Sequence, residues 1–195
     1  MCGWCFRGWT SAGDTPGGRP AGWPGGQPRT GGSALPIARQ ESLRRSFLPS
    51  AVGLLFIGES PPASGRFFYQ ADSGLYRAMR DAFVAIDRAA GENFLAAFQA
   101  AGCYLIDLCP HPVDHLDSKS RRAACRAAEP SLARTIAQLN PRRIATVVRS
   151  IEGNVTAAAS RAGWHGPILH LPYPGRWSRH RDIFLALLAK ELPSE

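Results

Sequence analysis

The sequence predicts a three-layer α/β/α domain built on a four-stranded parallel sheet, and three observations carry that prediction. Four apolar runs are each too short for a capped soluble helix. Segments of helical periodicity separate them, and three of the runs end in polar loops rich in glycine or proline. Short strands buried on both faces and alternating with helices form a parallel sheet with helices on either side.

In chain order, residues 1–36 contain ten of the twenty glycines and five of the sixteen prolines. Such a composition buries too little surface to offset its ordering entropy, so a disordered tail is expected. A native start further downstream would account for Trp4, Trp9 and Trp23 within it. Residues 37–50 read as a helical lead-in, with a short amphipathic helix over Ala38–Phe47, and residues 51–195 as the folded domain. Its first strand spans 52–57 (Val52, Leu54, Leu55, Phe56, Ile57) and stops at Gly58-Glu59-Ser60-Pro61-Pro62, where two prolines forbid further pairing. After the aromatic trio Phe67-Phe68-Tyr69, a helix over 72–87 starts at a cap on Asp72 or Ser73. It carries Leu75, Met79, Phe83 and Ile86 at helical spacing.

A second helix, 92–101, ends at Gly102, a favourable C-cap. Strand 103–108 runs into the polar loop Cys109–Ser118, and a long helix follows to Leu139 with an interruption expected near Pro130. Pro141 introduces strand 143–148, and a helix covers 150–162. Strand 167–171 leads through the loop Pro172–Ser178 into a last helix, Arg179–Leu192.

The 195 residues carry a net charge of +8 with pI near 9.8, a balance that favours a polyanionic partner and says nothing of fold. Residues 1–50 hold six arginines against Asp14 and Glu41, half of the excess, so the folded part is only mildly basic. On charge alone, a generic solvated surface fits as well as a nucleic-acid footprint. Lys119 and Lys190 are the only lysines beside twenty-one arginines, and arginine suits phosphate contacts. Five cysteines, an odd number with no secretory signal before them, favour a reducing, cytoplasmic setting over a disulfide framework. No apolar run approaches the roughly 18 residues of a membrane helix, so no membrane partner is expected.

In a parallel sheet the loops after strands one, two and four leave from one edge, where ligands bind. The first offers Glu59, Ser60 and the aromatic trio; the second offers Asp107 at the strand tip with His111, Asp114 and His115. The third offers Tyr173, Arg176, Trp177 and His180. Carboxylates, aromatic faces and arginines meeting in one crevice suit a flat polar ligand beside a phosphate backbone.

The order G-E-S-P-P, G-R-F-F-Y and S-G-L-Y, then C-Y-L-I-D-L-C, then L-P-Y-P-G-R-W-S-R-H-R resembles the uracil-DNA glycosylase superfamily over about residues 52–192. It is most similar to the branch whose motifs read G-E-A-P-G, G-R-P-F-V-G and G-Q-L-L. The resemblance implies a uracil-DNA glycosylase-like fold, a DNA partner, and hydrolysis of the N-glycosidic bond of a deaminated or damaged base flipped out of DNA. It aligns Gly58 and Glu59 with the water-positioning motif, Phe68 with the stacking aromatic and Asp107 with a base-reading position. Together with the loop chemistry this makes Glu59 and Asp107 the catalytic candidates and Gly58, Ser60, Phe68, Tyr69 and Tyr173 the base contacts. DNA contacts fall on Pro172, Arg176, Trp177 and His180, with Arg176 and Trp177 as a wedge filling the vacated stack. Within this reading Glu59 orients water and stabilises the cationic sugar while loop donors stabilise the departing base.

Three departures bear on base specificity. Leu171 stands where the family has the His of its H-P-S-P loop, and the adjacent His170 faces the other way by strand alternation. Asp107 replaces a base-reading Asn; once ionised it accepts but cannot donate, so it suits a base offering N–H donors or acts as the catalytic carboxylate itself. Pro62 replaces the second Gly of the first motif. The branch also carries a four-cysteine iron–sulfur cluster. Here Cys2-x-x-Cys5 lies far upstream, His111 and Ala128 occupy the later ligand positions, and Cys109 and Cys125 miss them by two or three residues, so no cofactor is expected.

Each of these residues also has a plainer reading. Glu59 could cap its own loop, Phe67 and Tyr69 could be wall or core packing, and His180 could be a surface contact. His111, Asp114, His115 and Cys109 read as a solvated turn, with no metal expected. A monomer is expected, and a non-catalytic nucleic-acid or nucleotide-binding domain of the same fold is the alternative to an enzyme.

Overall fold

The computed structural model describes residues 36–85, 93–175 and 177–191. Its strands are Leu54–Gly58 (β1), Cys103–Asp107 (β2), Arg143–Thr146 (β3) and Ile168–His170 (β4), all parallel, in the order β2-β1-β3-β4. All five residues of β1 are buried, which is what its uninterrupted apolar run requires of a central strand. The three-layer α/β/α architecture read from the sequence is the observed one.

The chain leaves β1 through Gly74–Ala85 (α2) and Phe94–Ala100 (α3) to reach β2 on one side. It then crosses β1 through Ser118–Leu139 (α4) to reach β3 on the other, and continues through Glu152–Arg161 (α5) to β4. Right-handed crossovers in opposite directions put α2 and α3 on one face and α4 and α5 on the other. Accordingly α4 packs on α5, and the last helix, Ser178–Glu191 (α6), packs on α2. The direction of winding reverses between β1 and β3, and that is where a crevice opens at the carboxyl ends of the strands.

Local chemistry sets the helix starts. Ser73 caps α2, its Oγ accepting from the Tyr76 amide at 3.0 Å, while Asp72 instead accepts from the Phe67 amide at 2.7 Å. Asp117 caps α4 through the amides of Lys119 (2.8 Å) and Ser120 (3.1 Å). The interruption expected at Pro130 does not occur: α4 runs unbroken through it. Proline removes one intrahelical donor, but Cys125 on one side and Leu132, Ala133 and Ile136 on the other are buried in the core, and that burial outweighs the lost bond.

The lead-in helix forms over Ile37–Ser46 (α1) but has no fully buried residue, so its amphipathic character is weak. Leu43 is only partly buried, and Phe47, just past the helix, stacks on Tyr69 with ring centroids 5.5 Å apart. The tail expected to be disordered lies, up to residue 35, outside the described residues, as do Ile86 and Leu192. Among the described residues no helix is long and apolar enough to cross a membrane.

Tyr69 is buried, and its hydroxyl donates to the Leu105 carbonyl (3.0 Å) and accepts from the Leu105 amide (2.8 Å) on the outer side of β2. One side chain thus satisfies both backbone groups of an edge residue that no neighbouring strand can reach. Tyr69→Phe orphans both groups, and urea denaturation should find the variant about 1–3 kcal/mol less stable. Unchanged stability would show that water replaces the hydroxyl.

Candidate active site

The crevice is assembled by hydrogen bonds that continue the sheet past its strands. The Leu108 amide donates to the Gly58 carbonyl (2.9 Å) and the Cys109 amide to the Glu59 carbonyl (2.8 Å). On the other side the Val147 amide donates to the Ile57 carbonyl (3.1 Å), and the Leu171 amide to Thr146 (2.9 Å). Side chains add further ties between the first two loops. Ser60 Oγ accepts from the Val113 amide (3.2 Å), and the Asp114 carboxylate accepts from the Ala63 amide at 3.1 and 3.2 Å.

These loops enclose a cavity of about 360 Å³, at the small end of the range for small-molecule sites. Gly58 and Asp107 line it at the strand tips, Phe68 and Tyr173 contribute aromatic wall, and exposed Arg66 lines it with them. Phe68 is held edge-on by Tyr76 (5.9 Å) and Phe94 (6.2 Å) and belongs equally to the aromatic core. Tyr173 fits where two glycines leave room: a Cβ on Gly74 would stand 3.2 Å from its hydroxyl, and one on Gly175 2.7 Å from its ring.

Asp107 is the last residue of β2, in register with Gly58. A Cβ on Gly58 would lie 2.6 Å from Asp107 Oδ1, so only glycine leaves space for this carboxylate. Burial pushes the Asp107 pKa up to about 6, against the opposing pull of the Arg44 guanidinium. The group therefore titrates just below neutrality.

Glu59, one residue beyond β1, has a side chain only 10% exposed. Arg121 of α4 grips it with both arms: Nε donates to Oε1 at 2.8 Å and a terminal nitrogen to Oε2. Ser150 Oγ adds a contact at 3.4 Å. The plain reading of Glu59 as a cap for its own loop is thus replaced by a two-pronged ion pair.

Of the residues the sequence assigns to the site, Gly58, Glu59, Ser60, Phe68, Asp107 and Tyr173 line one cavity. Tyr69 is not among them, because its hydroxyl is committed to the backbone of β2. Pro172 is buried, His180 sits in the first turn of α6, and Trp177 is 60% exposed beside Pro174 and Arg181. Arg176 lies outside the described residues. Leu171 is buried in the core, and His170 turns away, its Nδ1 3.2 Å from Thr146 Oγ1 and 3.9 Å from Glu152.

Several lining residues escaped the sequence reading. Val147 and Val148 come from the loop after β3, and Arg121 comes from the first turn of α4. Their signal lay in topology: the start of a helix that follows a strand tip returns to the same sheet edge.

Cys109 and Cys125 are buried, with Sγ atoms 3.8 Å apart. Burial pushes the Cys109 thiol up to about 12 and raises that of Cys125, so both are neutral thiols near pH 7. Cys2 and Cys5 lie outside the described residues. His111, Asp114 and His115 are exposed, and among the described residues no group of three or more His, Cys, Asp or Glu is arranged to hold a metal ion.

Against known families, residues 46–190 match the one described as "Uracil DNA glycosylase superfamily". No match was found among curated proteins.

Proposed function

Since the chain belongs to the uracil-DNA glycosylase superfamily, we propose that it hydrolyses the N-glycosidic bond of a deaminated or damaged base flipped out of DNA. The observation that carries this reading is Asp107. Asp107 lines the cavity with Gly58, against which its carboxylate packs, and with Phe68, and its pKa is about 6. A general base works best when its pKa lies near the operating pH, and Asp107 is mostly ionised at pH 7.

In this mechanism the base enters between Phe68 and Tyr173, and ionised Asp107 takes a proton from the attacking water. Its charge, partly shielded from solvent, also stabilises the oxocarbenium-like sugar. Glu59 is held by Arg121 and serves as a fixed negative wall of the site, not as the proton acceptor. Water attack forms the new C–O bond as the N-glycosidic bond breaks, and the departing base leaves as an anion that the loop amides and Arg66 stabilise. The exposed indole of Trp177 suits the role of wedge in the emptied stack.

The test is single-turnover base release from single-stranded and duplex oligonucleotides bearing uracil, hypoxanthine or xanthine, read as strand cleavage after alkali. Release from at least one is the expected result. Binding that weakens steeply with salt, without release from any substrate, would replace the enzyme by a nucleic-acid-binding domain of the same fold.

A further inference from the structure

We propose that the groove between α4 and α5 is a track for the phosphodiester backbone of the DNA strand that presents the target base. The proposal rests on the base-excision reading above and extends it to a surface outside the cavity. The groove encloses about 580 Å³ and is lined on the α4 side by Arg121, Arg122 and Arg126, and on the other side by Ser150 and Asn154. Arg122 and Arg126, four residues apart, lie on one face of α4, and Arg121 lines the groove beside them.

The charges in the groove are unequally matched. Glu59 is occupied by Arg121, and Glu129 at the far end accepts from Asn154 Nδ2 at 2.8 Å. Glu152, in the first turn of α5, lies 3.9 Å from His170. Arg122 and Arg126 are exposed and form no ion pair among the described residues. Two cations four residues apart on one helix face repel, so the pair does nothing for the helix itself. A polyanion lying along the groove removes that repulsion. Asn154 gives one amide hydrogen to Glu129 and keeps a second, a neutral donor of the kind that contacts phosphate without reading sequence.

Continuity with the cavity identifies the occupant. Glu59 and Arg121 line both the cavity and the groove. A strand whose nucleotide is flipped into the cavity therefore has its adjoining phosphates at the groove's mouth. A free nucleotide would fill the cavity but leave Arg126, more than a helical turn beyond Arg121, without a partner.

The experiment uses the full chain and the double substitution Arg122→Gln/Arg126→Gln. Binding to oligonucleotides carrying a tetrahydrofuran abasic analogue is measured across salt concentrations. Loss of two phosphate contacts should reduce the slope of log K against log salt by about 1.4–1.8 and weaken binding roughly tenfold or more at moderate salt. Base release at saturating enzyme should be unchanged, and the melting temperature should match the parent because both side chains are exposed. An unchanged slope in a protein that still binds and releases base overturns the groove and leaves the excision reading standing. Impaired release at saturation also overturns it, since the arginines would then act in the chemistry. A parent chain that neither binds nor releases base overturns both.

Discussion

Asp107→Asn is expected to cut base release by about 10²–10⁴-fold, the range for removing a general base, while making the fold more stable at neutral pH. The two effects have one origin. Burial raises the Asp107 pKa from 3.8 to about 6, so the folded state holds this proton more tightly than the unfolded chain does. Its contribution to stability is therefore complete below about pH 4 and is lost as pH rises through 6. At pH 7 the ionised carboxylate costs up to about 3 kcal/mol, a cost that neutral Asn avoids. Urea denaturation of parent and variant at pH 7 and pH 4 measures the gap, which should be present at the first and closed at the second. The parent's release rate should fall below about pH 6, and the variant's residual rate should not titrate there. A variant of parental rate would remove Asp107 from the chemistry.

Gly58→Ala is expected to act on the same carboxylate from outside it. The added methyl would stand 2.6 Å from Asp107 Oδ1 and 3.8 Å from the Ile106 carbonyl, so the soft neighbour, the carboxylate, moves. Misplacing a catalytic group by about 1 Å costs on the order of 10²-fold in rate. Overpacking should also lower stability by about 1–3 kcal/mol. At the other end of the same strand, Gly53→Ala meets only the Gly102 carbonyl at 3.5 Å and serves as the control with parental activity. In an Asp107→Asn background Gly58→Ala should cost little further activity, because both changes remove the same group. Additive losses would mean that Gly58 matters for some other reason.

Legibility in the sequence followed the range of the interaction. The four strands could be read because short apolar runs such as Leu54–Ile57 need no partner to declare themselves, and the Gly58–Pro62 stop is local backbone chemistry. The direction of His170 was legible from strand alternation alone. Arg121 was not, because the residue it grips is 62 positions away and a basic first turn on α4 resembles any solvated helix face. Tyr69 illustrates the converse: its place in an aromatic run aligned it with base contacts, whereas its hydroxyl is required by the backbone of β2. Pro130 misled through propensity, which a well-packed 22-residue helix overrides.

The Tyr69 hydroxyl has a consequence for how this domain can be approached. Extended peptides and neighbouring chains often join a sheet by adding a strand to its edge, which requires a run of unpaired amides and carbonyls. At the β2 edge that run is broken at its midpoint by a side chain, and at the opposite edge β4 offers only the three residues Ile168–His170. Strand addition is thereby discouraged on both flanks. Recognition is channelled to the carboxyl ends of the strands, where the cavity and the groove both open.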